Sequence, residues 1–480
     1  MCAADSSSSE TRVINDGQDA RRGRGSSSSP TSVQSDSKAL EPRKPVMSSG
    51  VAFYPPSTQL WRIGGKWYDF EPFLELHPGG SEVVRLARDR FEDSTFAFES
   101  HHHNYKRARS IIAKYEVAAP SERELMPRPA GGVVPGAGGD GGIYELPELL
   151  GDDAFYSVCR QRLTEHLRKV KCPRGGPTTV CVYAFWANFV AFCASWLLMY
   201  QSGTFLSAVG FGLIASLLGA FGHNWVHQPE YRLWSYLSLD TIGFSSTGWF
   251  REHVLQHHMY TNTPWDNHFR GTDPFLVTDP TVPRHWVQQW IMPYINPIIL
   301  TFGLYANFLA HFADMLQGHE AWRPTKAILP LNIALMVMKW GLVRGGLLTY
   351  TWGAVLGLWY FTMALMNHNA ENCMDVDARN KARDWGEAQL ASCADWGVQL
   401  PFERAWIYLW LNYHTVHHFF PRLDFSHHHA AQQIVMQACQ EHNVKYVAAD
   451  SPWTIYKEMV HSFASPRSLY KSILVYGGDL

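Results

Sequence analysis

Two pairs of long apolar stretches, with clusters of histidine at their ends, restrict what this chain can fold into more than any other feature. Val180–Tyr200 and Phe205–Phe221 each approach the roughly 20 residues a helix needs to cross a bilayer, and only Gln201-Ser-Gly-Thr204 separates them. They read as a hairpin that returns the chain to its starting side. Ala327–Trp340 and Leu347–Met366 form a second hairpin around Val343-Arg-Gly-Gly346. Trp290–Phe308 is also apolar, but it contains Pro293 and Pro297 and runs into His311 and Asp314. Counted as a span it would give five crossings and set the last histidine cluster opposite the first two. Four predicted crossings, about 180–200, 204–221, 327–342 and 346–366, with one interfacial segment keep all clusters on one face.

The clusters are His223-Asn-Trp-Val-His227, His253-Val-Leu-Gln-His257-His258 and His414-Thr-Val-His417-His418. These spacings put two or three rings on one side of a helix, and a ligating imidazole must be neutral and aimed. Eight rings are too many for one tetrahedral zinc, which takes four ligands, so the count predicts two metals. One such pair alone would read as polar surface. Adjacent buried imidazoles without partners cost several kcal/mol, and three clusters of one kind point to a shared site. Asn224, Gln256 and Asp273 are candidates for orienting the rings. His268, His311 and the run His427-His428-His429 lack the paired spacing or lie on a polar C-terminal segment, and are left out of the ligand set.

Composition narrows the class. A formal net charge of -2 over 480 residues gives no reason to expect nucleic acid as a partner. The 19 Trp, 21 Tyr and 26 Phe suit a protein with a membrane interface. Eight cysteines without a C-x-x-C pair indicate neither a zinc ribbon nor a disulfide scaffold, and favour a reducing, cytosol-facing environment. Residues 1–50 are Ser-rich, without apolar periodicity, and are predicted to be disordered. No apolar core follows the initial Met, and Asp5, Glu10, Asp16 and Asp19 oppose an organellar transit peptide.

Residues 51–118 switch to short apolar runs. Ile63-Gly-Gly-Lys-Trp-Tyr68 predicts a small hairpin with glycines at the turn. His77-Pro78-Gly79-Gly80 follows, then a helical run from Glu82 to Arg88, then Asp93-Ser-Thr-Phe-Ala-Phe98 and His101-His102-His103. Residues 119–142 form a Pro/Gly linker, predicted to let the preceding domain swing over a docking surface. Residues 144–175 have mixed charge and partial helical periodicity, predicting a helix at the cytosolic surface.

The 51–118 stretch resembles the cytochrome b5 family. That resemblance implies a haem b held by His77 and by one of His101, His102 and His103. The spacing after the phenylalanine in desaturase-fused members selects His102; the spacing in free cytochrome b5 selects His103. Two axial histidines leave iron no open position, which suits single-electron transfer. From about 175 to 440, the three histidine boxes, Thr261-Asn262 after the second and Phe420-Pro421-Arg-Leu-Asp424 after the third resemble the membrane fatty acid desaturase and hydroxylase superfamily. This implies a non-haem di-iron centre on the cytosolic face, with His368 of Met366-Asn-His-Asn-Ala-Glu371 as an additional ligand.

Together the two resemblances imply a multidomain fold: a disordered 1–50, an α+β haem domain over 51–118, a linker over 119–142, and over 143–480 an all-α membrane domain with four transmembrane helices and a cytosolic metal-binding cap. Such a chain is similar to front-end fatty acyl desaturases and to sphingolipid desaturases. His414 departs from the Gln that commonly opens the third box of the front-end group, which leaves the positional class of the substrate bond open. Removing hydrogen from an unactivated methylene needs a strong oxidant, which redox-inert zinc cannot make from dioxygen, and imidazole ligation suits iron among several metals. The implied activity is O2-dependent insertion of a cis double bond into a lipid-linked or CoA-linked acyl chain. Its electrons would come from NADH through a separate cytochrome b5 reductase and the haem. A fatty acyl or sphingolipid hydroxylase uses the same boxes, and a haem-bearing electron donor or scaffold is the non-enzyme alternative. The implied location is the endoplasmic reticulum membrane, with both termini and the catalytic face in the cytosol.

Overall fold

A computed structural model describes residues 46–48, 51–53, 59–90, 93–121, 149–263, 266, 268, 271–279, 282–318, 320–374 and 382–464. Most of the Ser-rich N-terminal segment and of the Pro/Gly linker lies outside the described residues. β1 (Val46–Ser48) and β2 (Val51–Phe53) pair antiparallel ahead of the first compact unit. In that unit β3 (Trp61–Ile63) and β4 (Lys66–Tyr68) make the predicted hairpin, with Ile63 opposite Lys66. Gly64 and Gly65 both sit at positive φ, 57° and 75°, the geometry of a two-residue turn that follows strand twist. Helices α1 (Ser81–Arg90), α2 (Thr95–His101) and α3 (Tyr105–Ile112) follow. β5 (Glu116–Val117) then returns to pair with β4, a closure that local pattern did not announce. Trp61, Ile63, Tyr68, Phe70, Leu74, Phe98 and Ile112 bury against one another as its core.

α4 (Phe155–Lys169) is the expected helix, with Glu165, Arg168 and Lys169 exposed on one side and a buried face on the other. Tyr156, Cys159, Arg160, Leu163 and Leu167 are completely buried. The buried face carries a charge that mixed composition did not single out: the Arg160 guanidinium pairs with Glu99 Oε2 at 2.7 Å, both side chains having no exposure. Glu99 belongs to α2, so α4 clamps the N-terminal domain onto the rest of the chain. Arg160 also lies 4.1 Å over the Tyr105 ring, and Arg232 Nη2 donates to Gly79 O at 2.7 Å. The predicted swinging domain is therefore docked in this structure. Charge pairing across the interface, which no local pattern reveals, holds it there.

α5 (Thr179–Ser202) and α6 (Phe205–Val226) form the first apolar hairpin. Thr178 and Thr204 cap them by accepting from the Cys181 and Ser207 amides. Ile328–Met366 is the second, broken at Gly341 (φ 77°, ψ 164°). A Cβ on Gly345 would stand 2.5 Å from the Met336 carbonyl oxygen. In a straight helix nine residues span about 13 Å along the axis, so the two arms fold back on each other. Thr179–Ser202, Phe205–Val226 and Pro324–Met366 are the stretches among the described residues long and apolar enough to cross a membrane; the third comprises both arms. Val190, Leu198, Leu206 and Met338 on them are exposed, as a lipid-facing surface requires.

The tips of the two hairpins meet. Arg344 Nη2 donates to Gly203 O at 2.9 Å and Lys339 Nζ to Gln201 Oε1 at 2.8 Å. α6 runs about 33 Å from there, placing His223 and His227 at the opposite end. The proline-containing stretch is divided among Trp286–Trp290, Asn296–Leu300 and Gly303–Leu316. None of the three is long enough to span, and Trp286, Trp290, Tyr294, Ile298 and Phe302 are exposed along them. α7 (Arg232–Ile242) packs on α6, and the remaining helices build a cap over the histidine-bearing ends.

Candidate metal centre and haem site

Three elements deliver the box histidines, and His368 joins them from just beyond the end of Ile328–Met366. His223 occupies the last turn of α6 and His227 its C-cap. The second box lies on a π-helix, Phe250–His257, continued by His258–Tyr260. The widened turn of a π-helix closes i→i+5 bonds, which brings His253, His257 and His258 toward one face. The third box is a short helix, His414–Phe419, entered through Leu409 and Trp410 in left-handed conformation. Asp395 Oδ1 accepts from the Thr415 amide at 2.7 Å, fixing its first turn.

The rings gather in two sets, His223, His227, His253 and His417, and His257, His368, His414 and His418. Within each, the candidate ligand nitrogens lie within 4.8 Å of one another. His258 stands between them, 4.6 Å from the His253 ring and stacked 4.0 Å from His418. Opposed Nε2 atoms approach to 2.7 Å for His223–His253 and His368–His414, and to 3.1 Å for His257–His368 and His253–His258. Burial, the largest cause, holds His253, His258, His414, His417 and His418 well below the usual imidazole range, and His257 and His368 at about 3. The rings are thus neutral, the form that ligates. His227 Nδ1 and Nε2, His417 Nε2 and His418 Nε2 are buried without hydrogen-bond partners. Orphaned lone pairs facing one another are costly without a cation, so this donor set fits two metal ions.

The groups that aim the rings differ in part from those predicted. His257 Nδ1 pairs with Asp266 Oδ2 at 2.8 Å. His368 Nδ1 lies 3.2 Å from Ser392 O, and His418 Nδ1 3.1 Å from Thr261 Oγ1 and 3.2 Å from Gln389 Oε1. Asp266 and Gln389 were missed: one is an isolated acid after the second box, the other lies 128 residues beyond Thr261. Asn224 does not serve an imidazole through its amide; it donates to Asp424 Oδ2 at 2.7 Å and accepts from the Phe425 amide. Trp225 and Gln228 join it on that carboxylate, so Asp424 ties the first box to the segment after the third. Gln256 is buried on the π-helix, and Asp273 precedes Pro274.

Among the histidines set aside, His268 stacks 4.8 Å from His257 and 5.3 Å from His253. His428 comes within 6.0 Å of His417 and is buried, although its segment looked polar. His311 pairs with Glu320 at 2.9 Å, His427 with Gly176 O and His429 with the Tyr413 hydroxyl.

In the N-terminal domain His102 faces His77, ring centroids 6.1 Å apart. Two metal–nitrogen bonds of about 2 Å plus the ring radii of about 1.1 Å would place centroids about 6 Å apart. His77 Nδ1 lies 3.2 Å from Gly80 O and His102 Nδ1 2.7 Å from Phe98 O, leaving each Nε2 for iron. His101 Nδ1 turns to Ser100 and Ala97, and His103 Nε2 to Pro173 O. The pair fits a haem.

Two buried four-histidine sets at the ends of apolar hairpins, with a facing histidine pair docked beside them, define a membrane redox protein. The chain belongs to the fatty acid desaturase family, whose profile matches residues 194–449. A profile described as cytochrome b5-like heme/steroid binding domain matches residues 49–119. Among curated relatives, the acyl-lipid (8-3)-desaturase of Physcomitrium patens is 27% identical over 82% of this chain and 85% of its own length. A cytochrome b5-related protein of Drosophila melanogaster is 25% identical over 80% of this chain and 83% of its own. The Delta(5) fatty acid desaturase A of Dictyostelium discoideum is 23% identical over 83% and 88%. The chain is a fatty acid desaturase with a fused cytochrome b5 domain, and haem and a di-iron centre are the cofactors this implies.

Proposed function

We propose that the chain desaturates the acyl chain of a membrane lipid, a reading supported by the acyl-lipid desaturase name of its Physcomitrium patens relative, with electrons drawn from NADH through a cytochrome b5 reductase. In this reading His223, His227, His253 and His417 hold one iron, and His257, His368, His414 and His418 the other. His258 reaches one of the two from between them, and His77 and His102 hold the haem. The observation that carries it is the convergence of nine buried imidazoles from four separate segments. Once bound, the irons supply the oxidising power that dioxygen lends to C–H removal. The protein's own part is to keep the rings neutral, aim His257 through Asp266 and His418 through Gln389, and keep water out with apolar residues such as Val254 and Val416, both buried. His257→Ala or His417→Ala is expected to abolish new double bonds in a host of defined lipid composition while the haem spectrum stays intact. His77→Ala should remove the low-spin haem absorbance and NADH-driven turnover yet leave iron content unchanged. Full activity in both box variants would sink the assignment.

The same reading places four crossings in the endoplasmic reticulum membrane, with termini and boxes in the cytosol. The meeting of the two hairpin tips, about 33 Å of helix away from His223, supports it. Cysteines introduced at the turns near Gln201 and Arg344 are expected to react only when the lumenal face is opened, and cysteines at exposed positions near Gly271 and Asp424 from the cytosol. Labelling of Trp290 and Phe308 from opposite faces would instead make that stretch a fifth span.

A further inference from the structure

The N-terminal domain approaches the metal centre through one short run of α2. Ser100, His101 and His102 are consecutive, and His102 is the ring that faces His77. Ser100 Oγ donates to Phe96 O at 2.7 Å, lies 2.9 Å from His101 Nδ1, and touches Met259 Sδ at 3.4 Å. Met259 directly follows His258, the ring between the two four-histidine sets. Ser100 is 4%, Met259 1% and His258 0% exposed. From the haem-facing ring to the metal-facing ring this run is covalent except for one 3.4 Å contact between Ser100 Oγ and a polarisable sulfur. Electron tunnelling weakens exponentially with distance, and fastest across gaps, so a close-packed run with one short step carries more current than a longer or broken one. Two neighbouring contacts between the domains serve less well. Phe96 meets Tyr260 edge-on at 6.0 Å between centroids, and Arg232, which donates to Gly79 O, reaches the second-box helix only by its guanidinium carbon 4.9 Å from the Phe250 ring centroid.

We propose that Ser100 and Met259 form the bridge by which electrons cross from the haem domain to the metal centre, an inference that rests on the function proposed above. Each crossing takes one electron from the reduced haem and leaves it oxidised. Two crossings serve one turnover. Dioxygen accepts four electrons, two from the haem and two with the pair of hydrogens leaving the acyl chain. Two protons enter, the O–O bond and two C–H bonds break, one C=C bond forms and two waters leave. Ser100 and Met259 touch neither substrate nor dioxygen in this scheme; they act by positioning a conducting contact.

The test uses the full chain loaded with haem and iron, reduced without oxygen and then mixed with dioxygen and acyl lipid while haem absorbance is followed. Iron-depleted protein supplies the background rate. Ser100→Ala and Met259→Leu are expected to slow haem reoxidation several-fold while haem spectrum, haem midpoint potential, iron content and melting temperature stay as in the parent. Met and Leu have nearly equal volume, so the second variant keeps the packing. Phe96→Leu, which alters the adjacent contact, should reoxidise at the parent rate. Parent-like rates in both bridge variants would overturn the proposal, as would equal slowing in Phe96→Leu, which would assign the effect to docking in general. If iron depletion leaves the parent rate unchanged, the function proposed above fails instead, a result separate from either.

Discussion

Single residues decide how the box histidines are aimed. Asp266 is the clearest case: its carboxylate fixes the His257 ring through Nδ1 and also accepts from the Asn262 amide at 2.9 Å. Groups of this kind orient a ligand and raise its basicity, and losing one typically costs 10–100-fold in metal affinity. Asp266→Asn is therefore expected to lower iron retention by about that factor, read as iron per chain after dialysis against a graded chelator, with the haem spectrum unchanged. The box histidines themselves were legible, because three clusters of paired spacing beside apolar runs have few other uses. Asp266, Gln389 and the stacked His268 were not, since a lone acid, amide or imidazole carries no periodic signal and acquires meaning only from the ring it touches.

Among whole elements, the second apolar hairpin depends on glycines at its fold. Gly341 supplies the positive φ that reverses the chain, and Gly345 lets the returning arm rest against the Met336 carbonyl. A methyl group at Gly345 must push backbone aside, an overpacking cost of about 1–3 kcal/mol. Gly346 has open space around its would-be Cβ. Gly345→Ala should lower the melting temperature in detergent, followed by tryptophan fluorescence, whereas Gly346→Ala should leave it unchanged. An equal response from both would refute close packing of the arms. The apolar lengths made the hairpins legible, and proline with flanking polar residues marked Trp290–Phe308 as a different kind of segment. The π-helix of the second box was not readable: His253, His257 and His258 suit an α-helix as well, and the ring of neighbours they serve selects the wider turn.

For the molecule as a whole, a buried charge cluster sets the relation between the two domains. Arg160 and Arg109 both reach the fully buried Glu99. Breaking a buried pair outright typically costs about 3–5 kcal/mol; without Arg160, Glu99 keeps Arg109, so the loss is a part of that. Arg160→Met is expected to loosen the docked domain, seen as faster hydrogen exchange across Thr95–His101 and slower NADH-driven turnover with an unaltered haem spectrum. Unchanged exchange would show that docking rests on other contacts. The sequence alone determined the order of parts, the apolar hairpins, the histidine count that calls for two metals and the facing-histidine domain ahead of them. The first three follow from composition and spacing along the chain, which local chemistry and helix periodicity translate directly; the histidine pair was implied by the resemblance of residues 51–118 to the cytochrome b5 family. Tertiary structure alone decided which four rings make each set, that His102 and not a neighbour turns to His77, and that the haem domain is seated and not swinging. Those outcomes depend on contacts between residues far apart in the chain, such as Glu99 with Arg160 and Ser100 with Met259, whose energies exist only once the elements have packed.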